Sequence, residues 1–176
     1  VRASVTNEVS FDEVRLPKKY LLGKIGEGTK CLIEILAEIR IMTAALAVGV
    51  GTAALEDSIE YAKTRVQFGK PIGKQQAIKM KVSEMAVKLE TSRQMVMYTA
   101  WLCDQNKPRS KEAQMVKLYA SEAANSICDD ACRIMASYGY AMEYPVQRYW
   151  RDARFTLIGG GTSEILKINI ARELGL

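Results

Sequence analysis

Histidine is missing from all 176 residues of the chain. That absence excludes a Ser-His-Asp triad, a Cys-His dyad and any His-ligated metal centre built from this chain alone. Proline is scarce, at 4 residues, and 12 glycines are too few for a collagen-like or low-complexity chain. The four cysteines, Cys31, Cys103, Cys128 and Cys132, do not amount to a disulfide framework. Cys128 and Cys132 stand one helical turn apart, but no second pair completes a zinc site. They read as helix-core thiols in a reducing compartment, and no metal is expected. The least polar run, Ile41 to Leu55, is too short to span a bilayer, is rich in Ala and Gly, and is bounded by Arg40 and Glu56. Val1 to Leu16 carry charges throughout and form no signal peptide.

What is present is the composition of one globular domain with a sizeable core, 48% hydrophobic and 26% charged. A net charge of +5 suits an anionic partner without naming one. Residues 3 to 12 alternate β-branched and polar positions and read as one strand; Pro17 and Gly23, Gly26 and Gly28 then mark a loop. A lone strand is not stable, so this opening is expected to be the tail of a larger sheet, and the chain to begin inside a longer protein.

Helical periodicity then dominates. One long helix is expected from Thr29 to Phe68, with Leu32, Ile35, Leu36, Ile39, Met42, Leu46 and Val50 at helical spacing. A second runs from Gln75 to Gln105, with Ile78, Val82, Met85, Leu89 and Val96 on one face, and Asn106-Lys107-Pro108 stops it. The third, capped by Ser110, runs to Tyr138 with Met115, Leu118, Tyr119 and Ala123 inward. A short helix follows Pro145, and Thr162 or Ser163 opens a last one to Leu176. Long helices on short turns imply an all-α, antiparallel four-helix bundle over residues 29–176, preceded by the strand and loop remnant of a β-domain over 1–28.

Two segments suit chemistry. Tyr61 to Ser83 holds Lys63, Arg65, Lys70, Lys74, Lys79 and Lys81 with no carboxylate, around a turn at Gly69, Pro71 and Gly73. Cations and free amides at a turn suit phosphate, and a solvated basic turn would look the same. Gly159-Gly160-Gly161-Thr162-Ser163 runs into a helix, where a bare backbone approaches a ligand closely and the helix start favours negative charge; a flexible lead-in reads equally well. It has neither the Lys of a P-loop nor the preceding strand of a dinucleotide fingerprint.

Read together, the motifs resemble the acyl-CoA dehydrogenase family over essentially the whole chain. Val9-Ser10-Phe11-Asp12-Glu13-Val14-Arg15-Leu16-Pro17 with Leu21-Leu22-Gly23 resembles the exit from that family's middle β-domain. Tyr61 to Ile72, with Gln76 after it, is similar to the signature at the end of the first helix of its C-terminal domain. Tyr138-Gly139-Tyr140, Glu143 to Arg148 and Arg151 to Arg154 resemble the stretch before its last helix, and Gly161 to Ile165 with Ala171-Arg172-Glu173 its closing signature.

The resemblance implies FAD, an acyl-CoA substrate, and a dimer or dimer-of-dimers (a homotetramer) whose flavin sites include residues of a neighbour. It also implies an electron-accepting flavoprotein partner, no nucleic acid, no membrane span, and a place in the cytoplasm, or in the mitochondrial matrix of a eukaryote. Carried over, Arg65, Gln67, Phe68 and Gln76 match contacts to the pyrophosphate and adenine half of FAD across the subunit interface. Thr162, Ser163 and Glu164 match the segment touching the flavin nucleotide, and Arg40 and Gly161 match positions beside the substrate.

Two departures stand out. Where the family often has a Gln and a Gly-Gly pair at the adenosine end of FAD, this chain has Arg133, Ala136 and Ser137. The usual catalytic Glu position holds Gly160, and the alternative position on the long helix holds Ile39; Glu38 is one residue, about 100° of helix, away. The expected chemistry is α,β-dehydrogenation of a CoA thioester by the full flavoprotein, the fragment alone being inactive. The alternatives are altered chemistry (a flavin hydroxylase, an enoyl-CoA reductase, a base supplied elsewhere) or a non-catalytic oligomerisation module.

Overall fold

The computed structural model describes residue 1 and residues 4–176. Three long helices, α1 (Gly28–Thr64), α2 (Gln76–Asp104) and α3 (Ser110–Met135), are followed by α4 (Val146–Thr156) and α5 (Ser163–Glu173). Two short strands, β1 (Val66–Gln67) and β2 (Lys70–Pro71), form an antiparallel hairpin between α1 and α2, with Val66 opposite Pro71 and Gln67 opposite Lys70. The architecture is the all-α bundle expected from the sequence. Consecutive long helices run antiparallel: Glu38 meets Cys103 at one end of α1 and α2, and Ala62 backs onto Gly73 at the other. Between α2 and α3, Lys88 donates to Ser126 and Lys81 pairs with Asp130. The fourth position is shared, α4 packing on α1 and α3, and α5 on α3.

Small residues let the helices approach. On α1 the buried Ala44, Ala47, Gly51, Ala54 and Ala62 recur at helical spacing. The place where a Cβ of Gly51 would stand is 3.5 Å from both Ile127 and Leu89 side-chain carbons, so three helices converge there. One apolar cluster joins Ala54, Met85, Leu89, Ile127, Ala131 and Ile134 to Val146 and Ala153 of α4; a second joins Ala44 and Ala47 to Val116, Ala120 and Ala124. Fully buried side chains such as Met85 and Ile127 each contribute about 1.5–3 kcal/mol.

The structure corrects several expectations. Residues 4–12 form no strand and are exposed throughout, no segment among the described residues lying alongside to pair with them; Ala3 lies outside the described residues. α1 ends at Thr64 rather than Phe68, since Val66 and Gln67 pair with Lys70 and Pro71 and the chain must reverse between them. Phe68 and Gly69 take φ +54° and +75°, the two left-handed positions of a type I′ turn. α3 ends at Met135 rather than Tyr138, because Ala136 turns to φ +53°. Arg109, not Ser110, is the residue preceding α3, and the Ser110 hydroxyl donates to Glu173 (2.6 Å) instead of capping its own helix.

The inward faces also differ. Leu32, Ile35, Met42 and Leu46 are exposed on this chain, while Arg40, Ile41, Ala44 and Ala47 are buried. On α3, Met115 and Tyr119 point out, and the buried stripe is Ala113, Val116, Lys117 and Ala120. A pattern built on the largest apolar residues misses a seam made of alanine and one lysine. No helix among the described residues is long and apolar enough to cross a membrane.

Candidate functional site

Gly159–Gly161 joins α4 to α5 and lies against α1. Gly160 and Gly161 take φ +75° and +112°, conformations that residues with a Cβ seldom adopt. Arg40 of α1 is buried, and its Nε donates to the Gly160 carbonyl at 3.1 Å. Burial pulls the Arg40 guanidinium below its ordinary pKa, partly offset by the charge of Glu173. A Cβ on Gly160 would stand 3.5 Å from Thr43 Oγ1, 3.6 Å from Arg40 Cγ and 3.7 Å from Ile39 Cγ2. The two positions where the resemblance leads one to look for a catalytic carboxylate, 160 and 39, therefore face each other, and neither side chain can take up a proton.

From the other side, Lys117 of α3 is wholly enclosed and donates from Nζ to the carbonyls of Gly161 (2.5 Å) and Leu157 (3.2 Å). Asn125 donates to the Ala153 carbonyl near the end of α4 (2.8 Å). Beyond the loop, Thr162 precedes α5 and its hydroxyl accepts from the Ile165 amide at 3.5 Å. Ser163 is buried. Glu164 is exposed, its carboxyl held below the usual range by its own backbone N–H and by Thr162. Thr162, Ser163 and Glu164 line an open groove of about 460 Å³ with Glu122, Asn125 and Arg154.

Glu38 does not join this group. It pairs with Arg109, and its Oε2 accepts from Cys103 Sγ at 3.6 Å. The Arg109 hydrogen bond holds the Glu38 carboxyl below the ordinary carboxylate pKa, which makes it a weaker base. One residue of helical rotation puts Ile39 and Arg40 on the loop and Glu38 on the end of α2.

Arg65, Gln67, Phe68 and Gln76 come together at the hairpin, at the other end of α1. The Arg65 guanidinium lies 5.5 Å from the centroid of the Tyr138 ring, which packs on Tyr61 and Tyr144. Phe68 is 89% exposed at the hairpin tip, an outward-facing aromatic on a strained backbone. Gln67 and Gln76 are exposed beside it. Arg133 is exposed on α3, tied to Asp129 of its own helix at 2.6 Å. At the helical rise per residue, Arg40 and Arg65 are roughly 37 Å apart along α1, too far for one dinucleotide to touch both within a single chain.

Lys117 and the tyrosines around Arg65 were not legible as site residues. A lysine spaced three and four residues from buried alanines, Ala113 and Ala120, is the one signal the sequence offers. Cys128 is enclosed, its thiol pushed up to about 12 by burial, as befits a core side chain.

Residues 26–175 match the family described as "Acyl-CoA dehydrogenase, C-terminal domain". The chain is 57% identical over 175 residues to the benzylmalonyl-CoA dehydrogenase of Aromatoleum aromaticum, covering 99% of this chain and 46% of that protein. It is 44% identical to the short-chain specific mitochondrial acyl-CoA dehydrogenase of Bos taurus, covering 99% of this chain and 42% of that protein. Among solved structures, butyryl-CoA dehydrogenase from Megasphaera elsdenii superposes with a TM-score of 0.93 at 38% identity, over 94% of this chain and 43% of the other. The chain thus spans less than half the length of the relatives it matches.

Proposed function

The chain belongs to the acyl-CoA dehydrogenase family, as its C-terminal helical domain, and from that premise we propose that it serves an FAD-dependent oxidoreductase acting on CoA thioesters. The hairpin carries this reading. Among the described residues Arg65 has no carboxylate partner, and it is held on Tyr138 beside an aromatic that the fold itself leaves in solvent. A planar guanidinium suits a pyrophosphate, and an exposed ring suits a flat heterocycle, so these residues fit FAD.

Arg65, Gln67, Phe68 and Gln76 would hold the pyrophosphate and adenine half of FAD for a neighbouring copy, and Thr162, Ser163 and Glu164 would hold the nucleotide on their own side. Arg40 grips the loop that leads into Thr162–Glu164 and stands roughly 37 Å along α1 from Arg65, a span that supports a site completed by a second copy. When bound, FAD supplies the acceptor for a hydride from the β-carbon of the thioester. The buried Arg40 and the glycine loop it grips would form the wall of the thioester pocket. The resulting enzyme would work in the cytoplasm, or in the mitochondrial matrix of a eukaryote, and pass electrons to another flavoprotein.

The missing base narrows the substrate. Dehydrogenation needs an electron pair on the α-carbon, and Gly160 and Ile39 cannot produce one by removing a proton. A thioester that carries a carboxylate on its α-carbon needs no base: the bond to the carboxylate breaks, CO2 leaves, and the bonding pair stays on the α-carbon. As the β-hydride departs, that pair closes the double bond. The name of the relative at 57% identity denotes a thioester of this kind, a substituted malonyl-CoA. We take an α-carboxylated acyl-CoA as the substrate class, with one CO2 released for each FAD reduced.

The test is flavin retention. Arg65→Ala in the flavin-loaded protein should lower FAD affinity by about tenfold or more, since hydrogen bonds to charged groups contribute about 1.5–3 kcal/mol each. Circular dichroism should show the helices unchanged. Unaltered affinity would return the basic hairpin to a solvated turn.

A further inference from the structure

Lys117 is the largest fully buried side chain among the described residues, and it makes no salt bridge. Enclosing an ammonium without a carboxylate is costly, so a lysine held there by two carbonyl oxygens needs an account. Both carbonyls belong to the connection between α4 and α5: Leu157 begins it and Gly161 stands one residue before its end at Thr162. Gly160 lies between them, and its own carbonyl is taken by Arg40 from α1.

We propose that Lys117 is a positioning residue, which with Arg40 fixes the path of the Gly159–Gly161 loop by gripping carbonyls from two helices. The need follows from the sequence. Three consecutive glycines impose almost no conformation of their own and lose the most freedom on ordering. Gly159 is pinned by Phe155, whose ring lies 2.8 Å from where a Cβ would stand. Within the loop the Gly161 amide donates to the Ile158 carbonyl (3.2 Å), while the carbonyls of Gly160 and Gly161 are taken by donors from other helices. With the carbonyls of Leu157, Gly160 and Gly161 held, the turn into Thr162 and the first amides of α5 are aimed as a consequence. That gives Lys117 its functional weight, which rests on the reading of Thr162–Glu164 as part of the flavin site.

The charges facing Lys117 come from every side: Arg40 on α1 disfavours its proton, while Glu122 on α3 and Glu164 on α5 favour it. Glu173 of α5 acts on Arg40 and is itself held by Ser110 and Gln114 of α3. Lys117 is thus part of a polar seam between α3 and α5, not a stray surface lysine folded inward.

The test uses the flavin-loaded protein and Lys117→Met, which keeps the length of the side chain and removes the donors. Amide hydrogen exchange over Ile158–Ser163 should accelerate by about tenfold or more, while protection of α1, α2 and α3 cores stays as in the wild type. Flavin absorbance should shift with it, and Lys117→Arg should restore part of both. Unchanged exchange in the loop would overturn the proposal, as would loosening spread evenly over the bundle. Faster loop exchange with an unaltered flavin spectrum would support the clamp and count against placing the loop at the cofactor. Should Lys117→Met fail to fold, the wild type still decides: nitrogen-15 spectra should show one slowly exchanging ammonium, and ammonium protons that all exchange as fast as those of surface lysines would overturn it.

Discussion

Arg40 Nε donates to the carbonyl oxygen of Gly160 across 3.1 Å, joining a residue early in α1 to the loop ahead of α5. The bond fixes which face of α1 meets the loop. Ile39 and Thr43 come with Arg40, and Glu38 goes the other way to Arg109. The chemistry proposed for this protein turns on that choice of face.

The buried ammonium of Lys117 makes stability depend on alkaline pH. Burial first, and Arg40 second, bring Lys117 down to about 8, against an ordinary lysine value of 10.5. Between those values the unfolded chain keeps a proton that the folded chain has released, so stability rises with pH across that window. Below about pH 8 both states hold the proton, and the unfavourable burial of charge is fully present. Urea unfolding midpoints measured from pH 7.5 to 10.5 (roughly the window set by the two values) should rise more for the wild type than for Lys117→Met, the difference isolating Lys117 from the tyrosines and cysteines. Parallel curves would show that Lys117 is not buried as a charge.

The hairpin tip trades stability for an exposed ring. Phe68 occupies the first left-handed position of the turn, where Asn is favoured ahead of Gly69. Phe68→Asn should raise the unfolding free energy by about 0.5–1 kcal/mol in chemical denaturation and weaken FAD retention at the same time. A gain in stability with flavin affinity intact would mean that the ring contacts no cofactor.

At the end of α3, Ala136 holds φ +53° and ψ −129°, a region that L side chains rarely enter. Ala136→Gly should stabilise the fold by about 1 kcal/mol, read as a higher midpoint in thermal unfolding. A lower midpoint would show that the methyl group is needed where it is.

Much of this architecture was legible because long helices announce themselves over many residues. The turn at Gly69, Pro71 and Gly73 was legible, but the two-residue strands were not, because Val66 and Gln67 continue a plausible helical pattern and only their pairing with Lys70 and Pro71 takes them out of α1. The strand read over residues 3–12 rests on an alternation that is real, but a strand forms only against a neighbour, and none lies beside residues 4–12 among the described residues. At the site, the glycine run was visible in the residues themselves, whereas the resemblance to the family is what singled out Arg40 and positions 39 and 160; the argument against Glu38, about 100° of helix away, then follows from helix geometry. Lys117 stayed hidden because apolar periodicity counts a lysine as surface. Ser110 reads as a helix cap from its own neighbourhood, while the structure ties it to Glu173, 63 positions away in sequence.

The central claim is that this site starts its reaction without a base, and anaerobic mixing of the FAD-loaded protein with benzylmalonyl-CoA and with butyryl-CoA tests it directly. The account predicts rapid flavin bleaching and one CO2 per flavin with the first, and slow or no bleaching with the second. Glu38→Gln should leave both rates unchanged. Gly160→Glu should raise the rate with butyryl-CoA, although a side chain at φ +75° adds about 1 kcal/mol of strain. Rapid bleaching by butyryl-CoA in the wild type, surviving in Glu38→Gln, would contradict the account, since a base from outside this chain would then be removing the α-proton.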